Sequence, residues 1–275
     1  MPDLDREEGC ARLLVDQRLV TQHRIQMNNQ DLLEQANRII RHAETKDVRL
    51  RLLGGLAVMA VSSSATELEP LRRDYADIDF VGLGRDKWKI KQVFLDLGYT
   101  PDERFNALHG RTRLIFYQAE GKFHIDIFLD YFQMCHRLDL RQRLFPDYAT
   151  LSLADLLVTK LQVVQMNEKD LVDILAILLD HEVAPGETQE TIDLTYLARL
   201  IRSDWGLYTT MLDNLKRARE ELSRYLDLPQ QELIVRRIDA ILDAFDAVPK
   251  SAAWRLRSMI GRRLEWYELP DEVIR

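Results

Sequence analysis

Two aspartates separated by one isoleucine stand near the middle of the first half of the chain, in Asp77-Ile78-Asp79-Phe80-Val81. Alternate side chains of a β-strand share a face, so Asp77 and Asp79 project together while Ile78 and Phe80 can anchor the strand in a core. Adjacent carboxylates repel, which raises the pKa of one of them unless a cation lies between. Such a strand is therefore either a solvated sheet face or a place for a metal ion. Three further features bear on the choice. Gly54-Gly55 follows the alternating stretch Val48 to Leu53. Glycines at a strand-to-helix turn let backbone N–H groups meet a phosphate with no Cβ in the way, or they simply make a tight turn. Asp126 lies inside Phe123-His124-Ile125-Asp126-Ile127-Phe128, on the same face as His124 and Phe128. An acid there needs a metal or a salt bridge, and Arg111 and Arg113 on the neighbouring strand offer the latter. Lys160 sits within the apolar stripe Leu153, Leu156, Leu157, Leu161 and Val164. Its ammonium either snorkels to solvent or reaches into a cleft, with Asp170 and Asp173 of the next helix as natural partners.

The elements around these residues follow from periodicity and punctuation. Leu32, Leu33, Ala36, Ile39 and Ile40 form a helical stripe over about 30–44, and 48–53 alternates as a strand. Leu56 to Val61 reads as one or two helical turns. The polar stretch from Ser62 to Asp74 reads as a loop, whose Ser-rich, acidic part up to Pro70 is expected to be a mobile flap. A strand over 77–83 leads to a helix over 86–97 that stops at Gly98. Residues 100–110 read as a loop, and 111–118 and 122–129 as an antiparallel hairpin. Past residue 150 the pattern is helical only: 153–164 opened by the capping-box residues Ser152 and Asp155, a nearly all-apolar helix over 168–179, then 194–202, 208–225, 231–245 and 251–264. The expected organisation is an N-terminal polar extension (1–29), an α+β domain with a small mixed sheet and flanking helices (30–150), and an all-helical domain (151–275).

Composition sets outer bounds. The chain has 275 residues and a net charge of −7, so a broadly basic nucleic-acid coat is excluded and any nucleic-acid contact needs a local patch. The run Lys250, Arg255, Arg257, Arg262 and Arg263, with Trp254 inside it and Trp266 and Tyr267 behind, is either such a patch for RNA or a solvated helix face. Cys10 and Cys135 make neither a CxxC pair nor a zinc spacing, and Met134-Cys135-His136 is a poor chelate. The acidic start lacks a secretory pattern and the most apolar segment, 171–179, is too short to span a bilayer, so a cytoplasmic protein with no membrane partner is expected.

Taken together, Leu53-Gly54-Gly55, then Asp77-Ile78-Asp79-Phe80, then Ile125-Asp126-Ile127 resembles the signature of the nucleotidyltransferase superfamily, whose fold is that of polymerase-β-like enzymes. The run from Asp155 to Leu161 and Lys169 to Asp173 resembles the helical part of the bacterial branch that includes AbiE-type abortive-infection toxins. The resemblance covers roughly 48–180. One departure is the separation of Gly55 and Asp77, which lie 22 positions apart, longer than the compact motif. The resemblance implies transfer of a nucleoside monophosphate from a nucleoside triphosphate such as ATP to an acceptor hydroxyl, with release of pyrophosphate. It implies two Mg²⁺ ions, or Mn²⁺ in their place, on Asp77, Asp79 and Asp126, and a triphosphate held by Gly54, Gly55 and Lys160. The acceptor expected is tRNA or a protein, with a cognate antitoxin as partner. The alternatives are an aminoglycoside-type small-molecule acceptor and a non-catalytic nucleotide sensor of the same fold.

Overall fold

The computed structural model describes residues 28–118 and 123–269. Residues 1–27 of the expected N-terminal extension, and the turn of the expected hairpin, lie outside them. Helix α1 (Asn29–Glu44) begins at Asn28, whose side chain accepts from the backbone N–H of Asp31, and buries the expected stripe of Leu32, Ala36, Ile39 and Ile40. Strand β1 (Arg51–Leu53) runs straight into α2 (Gly54–Val61). Strand β2 (Asp77–Gly82) follows, then α4 (Lys87–Asp96), β4 (Arg113–Tyr117) and β5 (His124–Leu129).

Two stretches read as loops are ordered. The Ser-rich segment is no flap: Ser64–Glu67 forms a short helix, α3, and a 3-10 turn follows at Glu69–Leu71. Ser62, Ser64 and Leu71 are buried, and the backbone N–H of Ser64 is accepted by Asp180. Residues 100–110 hold a two-residue strand, β3 (Thr100–Pro101), and helix α5 (Glu103–His109), capped by Asp102. Both misreadings have one cause. Small and polar residues mark loops only while their backbone groups face water, and here those groups bond within short helical turns that Asp180 and Ile115 anchor from elsewhere in the fold.

The sheet has the order β1-β2-β5-β4-β3, with β2 and β5 parallel and the other pairs antiparallel. It is the small mixed sheet expected of an α+β fold. One of its faces packs Ile78, Phe80 and Ile125 against an aromatic group in which Phe94 stacks on Phe116 at 4.6 Å. The edge strand β1 is covered by the chain around residues 145–151. Leu52 donates to Ala149 and accepts from Leu151, and buried Arg51 donates to the carbonyls of Phe145 and Pro146. A small hairpin of β6 (Tyr131–Gln133) and β7 (Arg137–Asp139) leads out of the sheet.

The second half comprises α6 (Leu153–Leu161), α7 (Glu168–Asp180), α8 (Leu194–Ile201), α9 (Trp205–Glu221), α10 (Leu228–Ala247) and α11 (Ala252–Ile260). It is not purely helical, because Glu182–Ala184 and Thr191–Asp193 pair as a short parallel ladder. Helix α7 is buried from Leu171 to Leu178, as an all-round apolar helix must be, with α2, α3, α6 and α10 packed on it. A single apolar cluster runs from Leu32 to Phe245, so the packing is continuous across residue 150.

A buried polar knot ties the segment after β7 to α6. Arg143 donates to Asp155 (2.8 Å), Ser152 and Glu187, and its guanidinium lies 3.8 Å from the Tyr196 ring centre. Asp155 is 1 % exposed. Removing Asp155 leaves Arg143 paired with Glu187 but with a buried N–H donor unmet, so Asp155→Ala is expected to cost ~1–3 kcal/mol in urea unfolding, above a surface substitution. A cost below 1 kcal/mol would show the pair to be energetically idle.

His136 forms a second polar contact at the base of the helices. Its Nε2 lies 2.9 Å from Thr210 Oγ1, its backbone N–H is accepted by Gln162, and Trp266 also donates to Thr210. This run is therefore a packing feature. Burial lowers the His136 pKa below the ordinary imidazole range, against a smaller opposing pull from Asp204. Its contribution to stability is thus complete above the unfolded value of ~6.5 and lost as pH falls through the folded value. The stability margin of the wild type over His136→Asn is expected to shrink between pH 7.5 and 5.5, read from urea midpoints. A pH-independent margin would contradict the assignment.

Candidate functional site

The three acids of the sequence pattern come together at one place. In the parallel pairing of β2 with β5, Asp79 stands opposite Asp126 and Asp77 opposite His124. Paired residues of neighbouring strands share a face, so all three carboxylates project from the side of the sheet that turns away from Ile78 and Phe80. They line a cleft of about 590 Å³ together with Gly54, Gly55, Arg73, Arg113, Lys160 and Asp170.

The glycine turn belongs to the same site because β1 pairs with β2. Leu53 stands opposite Asp79, and the chain turns into α2 at the next residue. Gly54 has φ +75°, and a Cβ there would lie 2.3 Å from Asp79 Oδ2. At Gly55 a Cβ would lie 1.9 Å from the Arg73 guanidinium. No side chain caps the N-terminus of α2, whose first N–H groups have no partner within the helix. The long separation of Gly55 from Asp77 does not pull the turn away from the acids, since the intervening residues fold back onto α7.

Cationic side chains from four parts of the chain meet this negative cluster. Lys160 reaches the cleft wall from α6 and pairs with Asp173 (2.8 Å) and Asp170 (3.3 Å). Its burial would lower the lysine pKa, but Asp173 and Asp170 outweigh that and hold it above the ordinary value. Arg73 grips Asp173 through Nε (3.0 Å) and Nη2 (2.7 Å), and lies over the Tyr75 ring at 4.2 Å. Arg113 from β4 binds both oxygens of Asp126, at 2.9 and 2.8 Å. His124 lies between two acids, with Nδ1 2.6 Å from Asp77 and Nε2 3.3 Å from Asp126. Burial alone would lower the His124 pKa; its hydrogen bonds to Asp126 and Asp77 reverse this and push it up to about 9. For Asp126, burial pulls upward but His124 and Arg113 hold the carboxyl below its usual range. Asp79 goes the other way: burial, with the charge of Asp126 next, pushes it up to about 7, against the pull of Lys160.

These residues fit a hard divalent cation at Asp77 and Asp79. Both present oxygen donors on one face of the sheet, and hard carboxylate oxygens suit a small divalent ion. Asp126 is already engaged by Arg113 and His124, and no group of three His, Cys, Asp or Glu side chains among the described residues stands arranged around a point for an ion.

Arg73 and His124 take parts in the site that residue types did not assign to them. Arg113 was in view as a salt-bridge partner for Asp126. For His124 the available signal was alternation, which puts it on the acid face of β5. Arg73 could be found only by its place just before the Asp77 strand. The basic run near the C-terminus is largely occupied in packing. Arg257 donates to the carbonyls of Gly261 and Leu264, Arg262 pairs with Asp213, and Lys250 donates to the carbonyls of Phe245 and Val248.

No family model matches the chain, and no curated protein matches it in sequence. Among solved structures it is similar to the antibiotic-resistance factor ANT(2'')-Ia, at 14% identity over 54% of this chain and 83% of that one, with a TM-score of 0.39. It is also similar to the lincosamide antibiotic adenylyltransferase LnuA in its lincomycin-bound form, at 18% identity over 49% of this chain and 89% of that one, with a TM-score of 0.35.

The close approach at Gly54 makes a direct prediction. Gly54→Ala forces either Asp79 or the turn to move and puts a non-glycine residue at positive φ, costing about 1–2 kcal/mol. Mn²⁺ affinity, read by calorimetry, is expected to fall at least about tenfold while the protein stays folded; unchanged affinity would separate the turn from the acid pair.

Proposed function

We propose that the chain is a metal-dependent nucleotidyltransferase. The observation that carries this reading is the register of β2 on β5, which brings Asp77, Asp79 and Asp126 to one face with the glycine turn against Asp79. Asp77 and Asp79 would hold a divalent ion, Mg²⁺ or Mn²⁺, which would supply charge neutralisation at the triphosphate and Lewis-acid polarisation of the α-phosphate. Gly54, Gly55 and the bare N-terminus of α2 receive the β- and γ-phosphates through backbone N–H groups. Lys160 faces the same charge from α6, its position fixed by Asp170 and Asp173. The acceptor hydroxyl lies beside Asp126. Its oxygen forms a bond to the α-phosphorus, the bond to the bridging oxygen breaks, and pyrophosphate leaves with the electron pair. The hydroxyl proton passes to a carboxylate of the site, Asp126 being the one on the acceptor side.

The helical run carrying Lys160 and Asp173 supports the finer reading of a toxin-like branch of AbiE type. On that reading the protein acts in the cytoplasm, the acceptor is tRNA or a protein, and a cognate antitoxin is its partner. No helix among the described residues is long and apolar enough to cross a membrane.

The test is incubation of the protein with α-labelled nucleoside triphosphates, Mg²⁺ and cell extract, followed by separation of RNA, protein and small molecules. Label in RNA or protein supports the toxin-like branch; label in a small molecule supports the antibiotic-type alternative. Asp77→Ala and Asp79→Ala are each expected to lower transfer by at least about a thousandfold while the protein stays folded, with Asp79→Ala melting no lower than wild type because it relieves repulsion, and Asp77→Ala giving up its contact with His124 as well. Wild-type transfer rates in Asp77→Ala would defeat the metal assignment.

A further inference from the structure

Asp126 is the most deeply engaged of the three acids. Its residue is 3 % exposed, and Arg113 donates to Oδ1 through Nε and to Oδ2 through Nη2. Strand register makes this grip a built feature. Ile115 stands opposite Asp126 and Arg113 opposite Phe128, so the arginine is the diagonal neighbour on the same face, within reach of a long side chain. The guanidinium is then held over the Phe128 ring at 5.0 Å and the Phe105 ring at 5.7 Å. It is planar, permanently charged and matched to both carboxylate oxygens, so it fills the outer edge of Asp126 as a ligand-seeking cation would. Asp77 meets His124 Nδ1 through one oxygen (2.6 Å), but neither Asp77 nor Asp79 has such a two-pronged arginine among the described residues. A second dication on Asp126 would have to displace Arg113 or sit beside a fixed positive charge, which Coulomb repulsion opposes at this range.

We infer that Arg113 stands in for the second divalent ion: the chain takes one ion, on Asp77 and Asp79 with the triphosphate, and the guanidinium supplies the positive charge at Asp126. This rests on the nucleotidyl-transfer reading of the same site, and it departs from the two ions that the family resemblance implies. It also gives Arg113 a part in the reaction. The group that fixes Asp126 beside the acceptor hydroxyl is the one that offsets charge as that hydroxyl loses its proton.

Counting bound Mn²⁺ by electron paramagnetic resonance tests this without any acceptor. The full-length protein is titrated with Mn²⁺ in the presence of one equivalent of a non-hydrolysable ATP analogue, with the analogue alone as control. One ion per chain is expected for the wild type and for Arg113→Lys, and two for Arg113→Leu, with melting curves showing which variants are folded. Two ions in the wild type would overturn the inference and leave nucleotidyl transfer standing. One ion in a folded Arg113→Leu would overturn it too, since the count would not depend on the arginine. If Arg113→Leu does not fold, the wild-type count and Arg113→Lys still decide. No bound ion or analogue in the wild type would overturn the transfer reading itself, and the inference with it.

Discussion

Like charges crowd the carboxylate face of β2 and β5, and each surrounding element offsets part of that crowding. Asp77, Asp79 and Asp126 share the face, and Asp170 and Asp173 approach from α7. Left alone they would take up protons or open the sheet. Instead β4 contributes Arg113, β5 its own His124, α6 Lys160, and the segment before β2 Arg73. Asp173 is the shared partner of Arg73 and Lys160, so one buried carboxylate sets the place of both cations beside the glycine turn. Asp79 is the acid least relieved by this arrangement: burial first, and then the charge of Asp126, push its pKa up to about 7.

That distribution separates two kinds of work. Asp126 is satisfied within the protein by Arg113 and His124, and Asp173 by Arg73 and Lys160. Their charges build the cleft. Asp77 and Asp79 remain turned toward it, beside backbone that has no Cβ at Gly54. Asp77 shares His124 with Asp126, but neither Asp77 nor Asp79 is gripped by an arginine among the described residues, which suits that pair to take a cation from solution with an anionic ligand.

Much of this was legible from residue types. The spacing of Asp77 and Asp79, the acid inside the apolar run at Asp126 and the glycine pair each follow from strand period and backbone freedom, which are local properties. The stripes of α1 and α7 were equally plain. The Ser-rich segment and residues 100–110 were not. Their order depends on Asp180 accepting from Ser64, and on Asn106 exchanging hydrogen bonds with the backbone of Ile115. Those are contacts with elements elsewhere in the fold, and composition carries no trace of them.

The amino-acid order by itself determined which side chains share a face, because pleat and helical pitch are fixed by covalent geometry and sterics. It thereby determined that Asp77 stands with Asp79, that His124 stands with Asp126, and that Lys160 cannot avoid an apolar neighbourhood. Only the tertiary structure decided which faces meet. The parallel register that sets Asp79 against Asp126, the antiparallel one that brings Gly54 to Asp79, and the diagonal that gives Asp126 to Arg113 are long-range pairings. Hydrogen-bond ladders and the packing of a common core select them, and no local periodicity encodes them.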